Sequence, residues 1–352
     1  SFVEALMTKV GPQSQMQSIG MRFPFPALLA LKGDVVDKDV KIARERYEIE
    51  LRDLITNVAD VYYEIVYTEK AIDITGQSVD VLERLEGIAT TLYATGKTSY
   101  TDVIKLQIRI ARLRDDLTRL LDKREALAIS MNSLLDLPSE LRPSGLEEPG
   151  ARELAYTREQ LTEMGLASRQ EIRVLGLTID KMALMIEMAE REVYPDFTLG
   201  YSYFQNVEQL QVGTQGDEES FDTRPAIPMK SWFGQMDAYI REVRVERAGV
   251  EEELQDTINT FKSELKDTLF QHANARRLVN LYKNQILGRV RESLDLAIVG
   301  YQTGALTFPD VAGAEVDWLE SNLEYQRSIA DQNQTFAALE RIVGRTLGGT
   351  AQ

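Results

Sequence analysis

The stretch Tyr93-Ala94-Thr95-Gly96-Lys97-Thr98-Ser99-Tyr100-Thr101-Asp102-Val103 recurs 208 residues later as Tyr301-Gln302-Thr303-Gly304-Ala305-Leu306-Thr307-Phe308-Pro309-Asp310-Val311. Tyr, Thr, Gly, Asp and Val are identical in the two copies, and Tyr100 is matched by Phe308. Each copy reads as a helix–turn–helix. Gly96 and Gly304 stand where one helix ends, because glycine closes a helix in the left-handed conformation without a Cβ penalty. Ser99 and Thr307 stand where the next begins, as N-caps, with Asp102 and Asp310 three residues on. Downstream, Leu134-Leu135 aligns with Ile342-Val343 at the same offset. The chain therefore reads as a duplicated unit.

Proline placement extends the reading. No proline lies between Pro26 and Pro138 or between Pro228 and Pro309, and proline is excluded from helix interiors. Both gaps are expected to be long helices. Val103, Leu106, Ile110, Leu113, Leu117, Leu120, Arg124, Leu127, Met131 and Leu134 follow alternating three- and four-residue steps, the seam of a coiled coil. Asp34 to about Leu92 is helical in pattern as well, with Leu51, Leu54, Ile55, Val58, Val61, Tyr62 and Ile65. Helices of this length need partners along their whole extent, so a bundle or an oligomeric barrel is expected.

The rest alternates with period two. Phe197, Leu199, Tyr201 and Tyr203 share one face of a strand, and Ile19, Met21 and Phe23 share one face of another. Ser1 to Thr8 is a weaker strand joined by a Gly11-Pro12 turn, and Thr223 to Phe233 is weaker still, since Pro225 and Pro228 each remove a ladder donor. Gly213 to Ser220 reads as a polar loop. The order is two strands, a long helical hairpin, a linker with a short helix, then strands and hairpin again. About 45 helical residues, Gly150 to Tyr194, precede the second strand pair, and a comparable segment is expected ahead of the first.

Composition excludes several functions. Of 352 residues, 40 are Lys or Arg and 56 are Asp or Glu, a net charge of −16 that disfavours nucleic-acid binding. There is no cysteine and one histidine, His272, so thiolate chemistry, histidine-rich metal sites and a Ser/His/Asp triad are not expected. No window of about 18 uninterrupted apolar residues would carry a helix across a bilayer. Gly96-Lys97-Thr98 resembles the end of a phosphate loop, but position 91 is Thr where that motif needs Gly, and a helix precedes it. Met182, Met185 and Met188 invite a Cu(I) reading and are taken as an apolar helix face. His272 is taken as a packing or helix-surface residue.

These features resemble the TolC-like outer-membrane efflux factor family across essentially the whole chain. The resemblance rests on the paired turns and on Tyr194-Pro195-Asp196-Phe197-Thr198-Leu199-Gly200-Tyr201-Ser202-Tyr203. It rests also on Val10-Gly11-Pro12-Gln13 with Phe23-Pro24-Phe25-Pro26, and on Trp232-Phe233-Gly234. The last two look most like the branch that works with heavy-metal or cation efflux pumps. The resemblance implies a mainly α fold with a small β part, in which long helical hairpins form an α-barrel. Each protomer would give four strands to a 12-stranded outer-membrane barrel closed by a homotrimer. It divides the chain into a first β-hairpin (1–26), a first helical hairpin (27–137), an equatorial linker and helix (138–194), a second β-hairpin (195–233) and a second helical hairpin (234–347).

Function follows by the same implication: an exit duct of a tripartite efflux system in the Gram-negative outer membrane, with a periplasmic extension. Its partners would be a periplasmic membrane-fusion adaptor, an inner-membrane pump and outer-membrane lipid, with no catalysis, cofactor, metal or nucleic acid. The exit duct of type I protein secretion shares the fold, and a soluble coiled-coil scaffold or a periplasmic adaptor is the different-class alternative. Phe197, Leu199, Tyr201 and Tyr203 would face lipid. Tyr93, Gly96, Lys97, Thr98, Gly304 and Leu306 would form the adaptor-contact turns. Tyr301 matches a gate tyrosine, Asp102 the aspartate it bonds when closed, and Asp310 one acidic residue ringing the entrance. Two positions depart from the pattern: Leu306 replaces an arginine that would pair with Asp102, and Gly313 replaces a second ring aspartate, with Glu315 close by. A gate narrowed partly by packing is the expectation.

Overall fold

A computed structural model describes residues 2–9, 14–23, 26–141, 150–191, 196–206, 218–226 and 235–348. The turn at Gly11-Pro12, Phe25, the segment Tyr194-Pro195, most of the loop beginning at Gly213, and Trp232-Phe233-Gly234 lie outside the described residues. The order is β1 (Phe2–Lys9), β2 (Ser14–Phe23), α1 (Pro26–Ala94), α2 (Tyr100–Leu134), α3 (Arg158–Ser168) and α4 (Gln170–Arg191). β3 (Asp196–Asn206), β4 (Glu218–Ala226), α5 (Gln235–Leu281), a π-helical turn (Tyr282–Ile286), α6 (Leu287–Thr303) and α7 (Phe308–Val343) follow. Two compact units result: residues 1–47 with 170–258, and residues 48–169 with 259–352.

The first unit holds an antiparallel sheet of order β1-β2-β3-β4. Its register sorts the sequence into two kinds of row. Ala5 pairs with Ile19, Ile19 with Tyr201 and Tyr201 with Phe221; two residues along, Val3, Met21, Leu199 and Thr223 align, and then Phe23, Phe197 and Pro225. The intervening rows are Glu4, Gly20, Gly200 and Asp222, then Leu6, Ser18, Ser202 and Ser220, then Phe2, Arg22, Thr198 and Arg224. Apolar residues thus concentrate in alternate rows of the central strands β2 and β3, whereas the rows Met7, Gln17, Tyr203, Glu219 and Thr8, Met16, Phe204, Glu218 are mixed. The side chains of Phe197, Leu199, Tyr201 and Tyr203, and hence the face they present, lie outside what is described.

The last strand differs from the sequence reading in position. β4 begins at Glu218, inside the stretch read as a loop, and tolerates Pro225 because it is an edge strand, where a missing N–H forfeits no ladder bond on the open side. Salt bridges tie the helices of this unit: Lys38 to Asp180 and Lys181 to Asp39, both at 2.7 Å, and Arg173 to Glu45 at 2.8 Å. Met182, Met185 and Met188 are half-buried along α4.

The second unit has two cores. One gathers Leu82, Leu85 and Ala89 of α1, Val103, Leu106, Ile110 and Leu113 of α2, Leu294 and Ala297 of α6, and Val311, Trp318 and Leu319 of α7. The α2 seam is buried over its first four positions and at Met131, whereas Leu117, Leu120 and Leu127 are half-buried and Arg124 is exposed. The other core joins Leu161 of α3, Phe261 and Leu265 of α5, and Phe336, Leu339, Ile342 and Val343 of α7. Here Gly165 is required by space: a Cβ would lie 2.2 Å from Phe261 Cζ. The strand-like strap before α3 is held by α7, where Asn333 Oδ1 accepts from Arg152 N at 3.1 Å and Gln332 Nε2 donates to Arg152 O at 2.9 Å.

Among the described residues, no helix is long and apolar enough to cross a membrane.

Candidate functional site: the paired turns

Helix C-caps build both turns in the same way. Gly96 and Gly304 have φ of +72° and +78°, the left-handed values that favour glycine. Lys97 N–H returns to Leu92 O at 2.8 Å, and Ala305 N–H to Gly300 O at 2.8 Å, satisfying carbonyls at the helix ends. The two turns lie together in one unit, over one core: Val103 and Leu106 follow the first, Phe308 and Val311 the second, and Tyr301 is 3% exposed among them.

The entries to the following helices differ. In the second turn Thr307 N–H and Oγ1 both donate to Asp310 Oδ2, at 2.8 and 2.6 Å. The Asp310 carboxyl is thereby held below the usual aspartate range, first by the Thr307 hydroxyl and then by the Thr307 backbone. In the first turn Ser99 Oγ takes the cap, accepting from Thr101 N–H at 3.1 Å, and Asp102 Oδ2 instead accepts from Thr98 Oγ1 at 2.8 Å. Asp310 is exposed and closes its own helix; Asp102 is half-buried, and its charge lies near enough to Tyr301 to act on it.

Tyr301 completes the group. Its hydroxyl is buried without a hydrogen bond of ordinary geometry, close to Thr98 and Asp102. Burial raises the phenol above its ordinary pKa, the Thr98 hydroxyl works the other way, and the Asp102 charge adds to the rise. At Leu306, where the second turn lacks an arginine, packing takes over: a Cβ on Gly300 would lie 2.6 Å from Leu306 Cδ1, so the leucine sits directly on the helix end. Tyr93 and Tyr100 are exposed and lie against each other across the first turn, ring centres 5.2 Å apart and planes tilted by 44°. Gly96, Lys97 and Gly304 are exposed and Thr98 is half-buried.

Glu315 stands apart from this exposed rim. It is 1% exposed, one turn into the core on α7, where Ser78 of α1 donates to Oε1 and Arg109 Nε of α2 lies 3.5 Å from Oε2. Sequence reading missed both partners. The available signal was periodicity: Phe308, Val311, Glu315 and Trp318 follow core spacing, as do Ala71, Ser78, Leu82, Leu85 and Ala89, so a carboxylate and a hydroxyl occupy apolar positions. His272 is buried at 3% exposure, its Nδ1 3.1 Å from Thr335 Oγ1, and burial lowers its pKa. Among the described residues no group of three or more His, Cys, Asp and Glu side chains could hold a metal ion.

Comparison with known proteins sets this geometry in a group. The structure superimposes on the outer membrane protein VceC of Vibrio cholerae with a TM-score of 0.79 at 15% identity, covering 99% of this chain and 86% of that one. The fold is that of the TolC-like outer-membrane channels. The MtrE outer membrane channel of Neisseria gonorrhoeae shares the TolC-like fold, with a TM-score of 0.75 at 14% identity over 100% of this chain and 81% of its own. In sequence, the chain is 18% identical over 295 residues to the cobalt-zinc-cadmium resistance protein CzcC of Cupriavidus metallidurans, covering 83% of this chain and 68% of CzcC. No family model matches the sequence.

Proposed function

We propose that this chain is the outer-membrane exit duct of a tripartite efflux system. Three copies would complete a 12-stranded barrel, and substrates driven by an inner-membrane pump through a periplasmic adaptor would pass without catalysis. The observation that carries this reading is the four-stranded sheet, whose apolar residues fall mainly in alternate rows of β2 and β3 and whose outer strands β1 and β4 each have only one neighbouring strand among the described residues. A spanning sheet in lipid cannot leave edges open, so it must close by recruiting further strands. The helices support the same need. Leu29, Val36, Val40, Tyr47 and Leu54 stand exposed along α1 at coiled-coil steps, a seam without a partner among the described residues of this chain.

At the paired turns, the closed gate is assigned to Tyr301 and Asp102, with Asp310 as an acidic residue of the entrance. Tyr93, Gly96, Lys97, Thr98, Gly304 and Leu306 would meet the adaptor. Glu315 is assigned to the wall behind the gate, on the strength of its burial. The net charge of −16 favours cations in a water-filled duct, and the name of CzcC suggests divalent metal ions as the cargo class. Sedimentation in detergent tests the assembly: three chains of 39.8 kDa each should travel as one particle, and a monodisperse monomer that stays soluble without detergent would favour a scaffold instead.

A further inference from the structure

Helices α1 and α2 form one hairpin and α6 and α7 another, and a buried polar cluster joins them behind the turns. Ser78 is 0% exposed, Glu315 is 1% exposed, and the Arg109 side chain reaches in from a position one-third exposed. Around them lie Val79, Leu82, Leu106, Ile110, Ala314 and Leu319. The contact is incomplete: among the described residues Glu315 Oε2 and Arg109 Nε are both buried without a hydrogen bond of ordinary geometry, 3.5 Å apart as an ion pair. A buried carboxylate is tolerated only while its partners remain, and losing one partner is far costlier than neutralising both.

We propose that Ser78, Arg109 and Glu315 form an internal lock that gives the two hairpins discrete joined and parted states at the turns. While joined, the carboxylate is held by the hydroxyl and the guanidinium. Parting the hairpins exchanges both partners for water, which solvates the charge fully, so intermediate separations leave Glu315 dry and unpaired and are avoided. The lock deepens the duct reading by naming the interaction that tip opening has to break, and its residues are distinct from Tyr301 and Asp102.

The chain has no cysteine, so Ile104→Cys with Leu296→Cys, both exposed, places spin labels on α2 and α6 in an otherwise unreactive protein. Labelled chain is assembled with an excess of unlabelled chain, and the distance between the labels is read by pulsed electron resonance. The lock predicts one narrow distance in the parent, a second and longer population in Arg109→Gln, and its disappearance in Arg109→Gln with Glu315→Gln, where no buried charge is left unpaired. If Arg109→Gln does not fold, Ser78→Ala is read by amide exchange, with the first turns of α7 expected to exchange roughly tenfold faster through loss of a hydrogen bond to a charged group. A single narrow distance in Arg109→Gln, a double variant as heterogeneous as the single one, or unchanged exchange in Ser78→Ala would overturn the lock. Absence of conductance from the parent protein would overturn the duct reading and leave the distance result standing.

Discussion

Asp102 and Asp310 occupy the same place in the two copies of the turn, yet Asp310 accepts from its own N-cap residue Thr307 while Asp102 accepts from Thr98, on the other side of the cap. The difference traces to one neighbour. Thr98 offers a hydroxyl where the second copy has Leu306, and Ser99 caps its helix without help from the aspartate. One aspartate is thereby committed to local helix stability and the other is left beside Tyr301.

Asp310→Asn should fray the start of α7, seen as faster amide exchange at Thr307 and Phe308, with no comparable effect on α2 from Asp102→Asn. Because the folded Asp310 carboxyl is held below its ordinary pKa, its contribution is present above the unfolded aspartate range and is lost as pH falls through the folded value. Exchange in the first turn of α7 should accelerate over that acidic window in the parent and lose this pH dependence in Asp310→Asn.

A second acid-sensitive contact lies on the flank of the helices. Glu64 of α1 receives Arg327 of α7 and Lys123 of α2, each at 2.5 Å, and Arg327 also lies over Tyr67, 4.7 Å from the ring centre. Burial would raise the Glu64 carboxyl, but the two cations together outweigh it and hold it below the usual glutamate range. The sign is that of a depressed acid: stability is fully present above the unfolded glutamate pKa and falls away as pH drops through the folded one. Arg327→Gln should lower thermal stability at neutral pH and flatten its decline on acidification, as followed by circular dichroism melts at stepped pH.

Gly165→Ala should cost about 1–3 kcal/mol, because a methyl there meets the fully buried Phe261 ring, which has nowhere to move. Denaturant melts would register the loss, and Gly165→Ala with Phe261→Leu should recover part of it. An unchanged midpoint in Gly165→Ala would contradict the close approach of α3 and α5.

Tyr301 separates packing from gating. Its ring is core, so Tyr301→Ala should lose about 3–5 kcal/mol. Its hydroxyl makes no hydrogen bond of ordinary geometry with any described residue, so Tyr301→Phe should melt no earlier than the parent while raising conductance if the hydroxyl serves a closed gate. Equal conductance in parent and Tyr301→Phe would remove the hydroxyl from the gate.

Periodicity made much of this architecture legible. Alternation exposed β2 and β3, proline-free gaps exposed α1, α2, α5 and α6, and the repeated Tyr–Gly–Asp–Val spacing placed two turns that the structure brings together. What stayed hidden depends on partners distant in sequence. The same Asp in the same local motif takes different roles because of position 98 against position 306, and core spacing marks Glu315 without naming its partners Ser78 and Arg109, which arrive from other helices. The start of β4 was obscured by its acidic residues, Glu218 and Glu219, which read as loop. The partial exposure of Leu117 and Leu127 is likewise invisible to a heptad pattern, which marks a seam without saying whether its partner lies in the same chain.

Single-channel recording from the purified protein in a planar lipid bilayer decides whether the chain forms a gated duct. Discrete, cation-preferring steps that are mostly closed in the parent are expected, with a larger open fraction in Asp102→Asn than in Asp310→Asn. Folded, membrane-associated protein that gives no steps at any voltage would contradict the duct reading.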